Sequence, residues 1–286
     1  MTVLNDSPKA LFVRAQSRAL REDVGDTAVW KYSGDSKRVL FIHGFRGDHH
    51  GLQALAGALP DYQITSPDLP GFGKSGPLPT SDLDSYGSWL VKFNQDTGPY
   101  DLVVGHSFGS LVVSNAMSKG LNQRLLCLIN PISTRSSSGK DIPNKLARGY
   151  YRIGKNKLFG SWLLRSGIVT RSMSIGLTKS RSLDTRRFVH DQHARFFSGF
   201  HSVKSVTEGF EAASSGSVFD YSEFLTSPTL LIAGQKDAVA PISRQHEFCA
   251  TLQDATLEVL NGVGHLTHYE KPGEIAATIT TFLEQR

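Results

Sequence analysis

The sequence predicts an α/β protein with a mostly parallel central sheet, helices flanking it, and a helical insertion after the sixth strand. Three observations carry this reading. Runs of about five apolar residues recur along the chain and alternate with helix-length amphipathic stretches, the mark of strands buried on both faces and covered by helices. The later runs end in loops bearing Gly, Asn, Asp or His, and an open parallel sheet binds its ligands beyond the carboxyl ends of its strands. From residue 133 to about 225 this rhythm stops and the chain turns basic.

In order, residues 1–37 carry the weakest pattern. Thr27 to Ser33 (TAVWKYS) alternates as an early strand and would pair with residues before Gly25. Arg38 to Ile42 (RVLFI) is a buried strand that runs into His43-Gly44-Phe45. A helix over His50–Leu59 follows, with Leu52, Leu55, Ala56 and Leu59 on one face. Tyr62 to Ser66 is the next strand, and its loop, DLPGFGKS at 68–75, turns the chain hard. Ser81 to Gln95 is an amphipathic helix capped by Ser81 or Asp82. Leu102-Val103-Val104 then leads into GHSFG (105–109) and a helix. Leu125–Ile129 (LLCLI) ends at Asn130-Pro131, Thr229–Ala233 (TLLIA) at GQKD, and Thr256–Leu260 (TLEVL) at NGVGH. A helix over Pro272–Glu284, with proline in its first turn, closes the chain.

The chemistry centres on GHSFG. A serine at the end of a strand must sit in a sharp turn for its oxygen to project from the sheet edge, and Gly105 and Gly109 remove β-carbons where strand and helix pass closely. The helix that starts there aims unpaired N–H groups and its positive dipole end at the site. Ser107 then needs a general base, and His265 follows a strand end. That imidazole needs an acid to fix its tautomer, and Asp237 lies just past another strand. A developing oxyanion needs donors, which the backbone N–H groups of Phe108 and Phe45 can supply. His43 is expected to order its loop rather than act as a base.

HGF at 43–45, DLPGFGKS, GHSFG, GQKDAVAP at 234–241 and GVGHLTHYEKP at 262–272 together resemble the α/β-hydrolase superfamily. The style is that of capped esterases, meta-cleavage-product hydrolases and serine haloperoxidase-like proteins, and it covers residues 27–286 except the middle. The resemblance implies the α/β-hydrolase fold, with 1–132 and 226–286 as core domain and 133–225 as a helical cap. It implies Ser107 as nucleophile, His265 as base, Asp237 as orienting acid, and Phe45 and Phe108 as oxyanion donors. No cofactor or metal is expected. Superfamily members with an aspartate nucleophile are set aside by the serine at 107.

The whole chain of 286 residues carries a net charge of +5, unevenly spread. Residues 133–225 hold 15 Lys/Arg and 7 Asp/Glu, against 16 and 19 in the remainder. Lys145, Arg148, Arg152, Lys155, Lys157 and Arg165 interleave there with Tyr150, Tyr151, Phe159 and Trp162. Three readings compete: a solvated basic face, a cap resting on an anionic membrane or admitting lipid-like substrates, and arginines clamping a substrate carboxylate or phosphate. The expected pocket residues are therefore His43, Gly44, His106, Arg148, Arg152 and Trp162. Nucleic acid is not an expected partner, because no binding module is present. His190, His193 and His201 with Asp191 fit no metal-ligand spacing, and Asp48, His49 and His50 read as pocket rim.

The first residues lack the apolar core of a signal peptide, no run approaches the roughly 18 residues of a membrane span, and only two cysteines occur; a cytoplasmic protein is expected. The expected function is a serine hydrolase of a carboxylic ester or related small acyl compound. Two alternatives keep the same residues: a C–C bond hydrolase or lyase acting on a carboxylated substrate held by cap arginines, and a ligand-sensing protein on this fold. The sequence leaves the oligomeric state open.

Overall fold

The computed structural model describes residues 2–134, 142–156 and 158–286. Among them, eight strands form one sheet: β1 (Ala19–Val24), β2 (Thr27–Tyr32), β3 (Arg38–Ile42), β4 (Gln63–Pro67), β5 (Leu102–His106), β6 (Leu126–Ile129), β7 (Thr229–Gly234) and β8 (Ala255–Leu260). Their spatial order is β1-β2-β4-β3-β5-β6-β7-β8. β1 and β2 make an antiparallel hairpin about Gly25, β2 runs antiparallel to β4, and every pairing beyond β4 is parallel.

The apolar runs are explained by two-sided burial. Val39 and Phe41 of β3 enter one core layer, while Leu40 and Ile42 enter the other. The first layer packs beneath α1 (Pro8–Gln16), α2 (His50–Ala58), the short α11 (Thr267–Glu270) and α12 (Pro272–Glu284). The second packs beneath α3 (Leu83–Thr97), α4 (Phe108–Ser118) and α10 (Ile242–Thr251). Asp82 caps α3, its carboxylate accepting the Ser85 N–H at 2.7 Å. Removing each fully buried Leu or Phe from water contributes about 2 kcal/mol as an upper bound, so the sheet is held mainly by these layers.

Helix α1 was not expected from the weak pattern of residues 1–37. It buries only Leu11, Phe12 and Ala15, too few for a clear 3.6-residue period. Its start signal is present all the same: Ser7 accepts the Ala10 N–H, and Pro8 occupies the first turn.

Between β6 and β7 the chain forms α5 (Ile142–Gly154), α6 (Gly160–Leu164), α7 (Gly167–Leu177), α8 (Leu183–Phe196), α9 (Val203–Ser215) and a 3₁₀ segment at Val218–Phe224. Lys157 and the side chain of Lys145, counted in the basic middle, lie outside the described residues.

The elbow depends on close backbone passage. A β-carbon at Gly109 would collide with the carbonyl oxygen of Ile42 and stand 2.7 Å from that of His43. Backbone cannot yield there as a side chain can. Gly109→Ala is expected to cost about 2–4 kcal/mol, read as a drop in urea-unfolding stability; a loss below about 0.5 kcal/mol would show that the contact is not rigid.

Candidate active site

Every group of the site sits at the carboxyl end of a parallel strand. Ser107 follows β5 and caps α4 with φ +52° and ψ −117°, a conformation that L residues rarely adopt. The turn is held by the Ser107 N–H, which donates to the Ile129 carbonyl at 2.9 Å. His265, in the loop after β8, brings its Nε2 to 2.7 Å from the Ser107 Oγ. Its Nδ1 lies 2.7 Å from the Oδ2 of Asp237, which follows β7.

Asp237 is almost fully enclosed. Burial pushes its carboxyl up, but His265 beside it and the N–H groups of Ala240 and Val239 outweigh that and hold it below the usual carboxylate range. Those two N–H groups donate to Oδ1 at 3.0 and 2.8 Å. An ionised Asp237 needs a proton on His265 Nδ1, which leaves Nε2 bare to accept from Ser107.

Asn130 completes this corner, and the sequence reading passed over it. Its amide N–H donates to Asp237 Oδ2 at 2.7 Å, and its carbonyl oxygen accepts from the Thr267 hydroxyl. It does so with φ +46°, although a proline follows. A non-glycine in that region before Pro131 is strained, and strain of this kind clusters at functional sites. The available signal was a polar Asn-Pro pair at the end of an apolar strand.

The loop after β3 supplies the other side. His43 is wholly buried; its Nε2 accepts the Leu69 N–H at 2.8 Å and its Nδ1–H donates to the Gly44 carbonyl at 2.9 Å. Burial lowers its pKa, so it stays neutral and orders the loop. Gly44 lets that loop close on the elbow, since a β-carbon there would stand 2.9 Å from His106 Nδ1. The Phe45 ring meets those of Phe72 and Phe108 edge-on. Burial, and next the proximity of His265, push His106 down to about 3. Its Nε2–H donates to the His265 carbonyl at 3.3 Å, which steadies the His265 loop from behind.

Arg46 follows, with φ +61° and only 1% exposed. Its guanidinium donates to the Leu164 carbonyl at 2.7 Å, and to the Tyr151 hydroxyl and the Phe197 carbonyl at 3.3 Å each. It also lies over the ring of Phe197 at 4.7 Å. A lone arginine in a loop carries no sequence signal for such a role.

Above Ser107 opens a cavity of about 680 Å³. Apolar lining comes from Phe45, Phe108, Ile132, Phe210 and Val239, and polar lining from Asp48, Gln192, His193 and His268. Burial pushes His193 down to about 4 and His268 well below its ordinary value. Among the described residues no Lys or Arg lines this cavity.

His43, Gly44 and His106 line the cavity, together with Phe45 and Phe108. Arg148, Arg152 and Trp162 do not. Helix α5 buries Tyr151, whose ring stacks on Phe210 at 4.0 Å, and leaves Arg148 and Arg152 exposed. Trp162 is 74% exposed on α6. The inward arginine is Arg46, from the core, and its partners are neutral oxygens of the insertion.

Of the expected rim residues, only Asp48 lines the cavity. Asp48, His49 and His50 are the one group among the described residues whose donor atoms gather closely enough for a metal. Yet His49 Nδ1 pairs with Asp68 and His50 Nδ1 with Asp48, each at 2.9 Å. Trp30 stacks on His49 at 3.4 Å and Phe196 on His50 at 3.6 Å, while the two imidazoles are tilted by 40° to each other at 3.8 Å. Both Nδ1 atoms are thus engaged by carboxylates and both rings are clamped by aromatic neighbours, an arrangement that orders the loop without an ion. His190 is engaged by the Ser174 hydroxyl at 2.7 Å instead.

A strained serine at a strand–helix turn, hydrogen-bonded to a histidine that an aspartate holds, on a sheet of this order, defines the α/β-hydrolase class of protein. Residues 39–278 match the model of the Alpha/beta hydrolase family, and the chain belongs to that family. It is 26% identical over 260 residues to the dihydrolipoyllysine-residue acetyltransferase component of the acetoin cleaving system of Cupriavidus necator, covering 87% of this chain. The match spans 64% of that relative's length, under two thirds of it. Among solved structures, an esterase from Exiguobacterium antarcticum superposes with a TM-score of 0.73 at 16% identity, covering 90% of this chain and 96% of that one. A bromoperoxidase from Bacillus anthracis superposes with a TM-score of 0.75 at 18% identity, covering 93% and 99%. At these identities the structural likeness establishes the fold.

Proposed function

We propose that this chain is a serine hydrolase of uncharged carboxylic esters or related acyl compounds. The observation that carries the reading is the Ser107–His265–Asp237 chain of 2.7 Å hydrogen bonds on the floor of a cavity with no cationic lining among the described residues. His265 Nε2 takes the hydroxyl proton as Ser107 Oγ attacks the carbonyl carbon. The oxyanion is held by the N–H groups of Phe45 and Phe108, the latter at the positive end of α4. Collapse breaks the ester bond, and the leaving alkoxide takes the proton from His265. Water, deprotonated in turn by His265, then releases the acid and restores Ser107.

The helices of residues 142–215 serve in this reading as the cap. A carboxylate-bearing substrate is disfavoured, because the arginines meant to clamp it lie on the surface and Asp48 would repel it. The C–C bond reading loses its support with them.

The test is treatment with a fluorophosphonate, with the adduct located by peptide mass, followed by turnover of neutral and carboxylated esters of matched size. The expected result is an adduct on Ser107 and sustained turnover favouring the neutral series. A folded protein that takes no label would overturn the reading. A single acyl event without turnover would place the chain among ligand sensors instead.

A further inference from the structure

The outer surface of the insertion has a composition that burial does not explain. From residue 142 to residue 183 there are nine Lys/Arg and no Asp/Glu. The same stretch exposes large apolar side chains: Leu158 is 94% exposed, Ile168 81% and Trp162 74%, with Leu146, Ile153 and Ile175 also outward. Helix α7 shows the inversion best. Its outward stripe at i, i+3, i+4 and i+7 is Ile168, Arg171, Ser172 and Ile175, while the hydroxyl side chains of Thr170 and Ser174 are buried. Trp162 and Ile168 share one open depression with Arg165, so α6 and α7 present a continuous surface. Among the described residues Arg148, Arg152 and Arg171 pair with no carboxylate.

We infer that this face docks on an anionic lipid surface. Protruding aliphatic and indole side chains interleaved with cations suit the boundary between headgroups and acyl chains, which conforms to whatever projects into it. An anionic leaflet supplies the counter-charge that this stretch lacks. A second copy of the chain fits poorly, since two such faces would set cations against cations. An acidic protein would have to offer hollows for side chains that stand out from several short helices.

The same helix ties docking to the cavity. Met173, Gly176 and Leu177 of α7 line the cavity above Ser107, and Gly176, Ala238 and Val239 are its exposed lining residues. Docking through Ile168 and Ile175 therefore sets the α7 side of the mouth at the bilayer, where a sparingly soluble ester would be drawn from the lipid. This last step rests on the proposed hydrolase function; the docking itself does not.

The experiment is co-sedimentation of the full chain with vesicles of phosphatidylglycerol and phosphatidylcholine, compared with phosphatidylcholine alone, at about 0.1 and 0.5 M salt. Binding is expected to the anionic vesicles and to fall at the higher salt. The double variants Trp162→Ser/Ile168→Ser and Arg148→Glu/Arg152→Glu are each expected to weaken it about tenfold or more. Circular dichroism and turnover of a soluble short-chain ester serve as controls, because none of the four side chains lines the cavity. Absence of binding to anionic vesicles, or full retention by both variants, would overturn the proposal. So would a concentration-dependent dimer that both variants abolish without any lipid binding, which would assign the face to a second copy. Because the assay reads binding alone, an unreactive Ser107 would sink the hydrolase reading and leave this one standing.

Discussion

Replacing Ser107 with alanine is expected to lower kcat for a p-nitrophenyl ester by about 10⁴–10⁶ while leaving KM and stability near their original values. The hydroxyl is the nucleophile in the proposed cycle, and no other side chain stands at that point of the turn. Asp237→Asn is expected to cost about 10⁴ by a different route. The asparagine amide would face the Asn130 amide and turn a donor towards His265 Nδ1, favouring the tautomer that cannot accept from Ser107. The double variant should be hardly worse than Ser107→Ala alone, since residues that act as a unit do not add. Loss of less than about tenfold in Ser107→Ala would mean that the measured turnover arises elsewhere.

Acid is expected to destabilise the protein steeply, beginning well above the range where carboxylates titrate. Burial holds His106 down to about 3 and His193 to about 4, whereas in the unfolded chain both titrate near 6.5. Between those limits the unfolded state binds protons that the folded state refuses. Stability therefore rises with pH across this window and is lost as pH falls, by up to about 1.4 kcal/mol per pH unit for each histidine. His43 and His268, also depressed by burial, act in the same direction. Glu270 works against them: burial raises its pKa, so its folded form takes up a proton first as pH falls. Urea unfolding from pH 7.5 to 4.5 should give a slope of at least one proton, and His193→Phe should flatten it by roughly one. A stability profile flat across this range would contradict the buried, neutral state of these histidines.

What could be read in advance follows the physics of each element. The sheet was legible because β3, β5, β6 and β7 are buried on both faces and carry their burial as unbroken apolar runs. Ser107, His265 and Asp237, which the fold brings within hydrogen-bond reach, could be singled out because each stands at a strand end beside turn residues. Asn130 and Arg46 were not, because their roles depend on backbone conformation and on partners 107 and 118 residues away in the chain. The insertion misled in one respect. An arginine on a helix near a pocket has no sequence mark that tells inward from outward; burying Tyr151 decided it.

Arg46 has a further mechanical consequence. It is the next residue after Phe45, one of the two proposed oxyanion donors, and it grips α5 through Tyr151, α6 through Leu164 and the end of α8 through Phe197. The roof and the loop after β3 are thus one truss, pinned among the described residues by this buried guanidinium. Swinging α5 and α6 away as a lid would break these bonds and loosen the Phe45 amide at the same stroke, leaving an open but disarmed site. In the proposed hydrolase cycle, traffic is expected to pass beside the pinned roof, at the edge formed by Gly176, Ala238 and Val239, with the pin still closed.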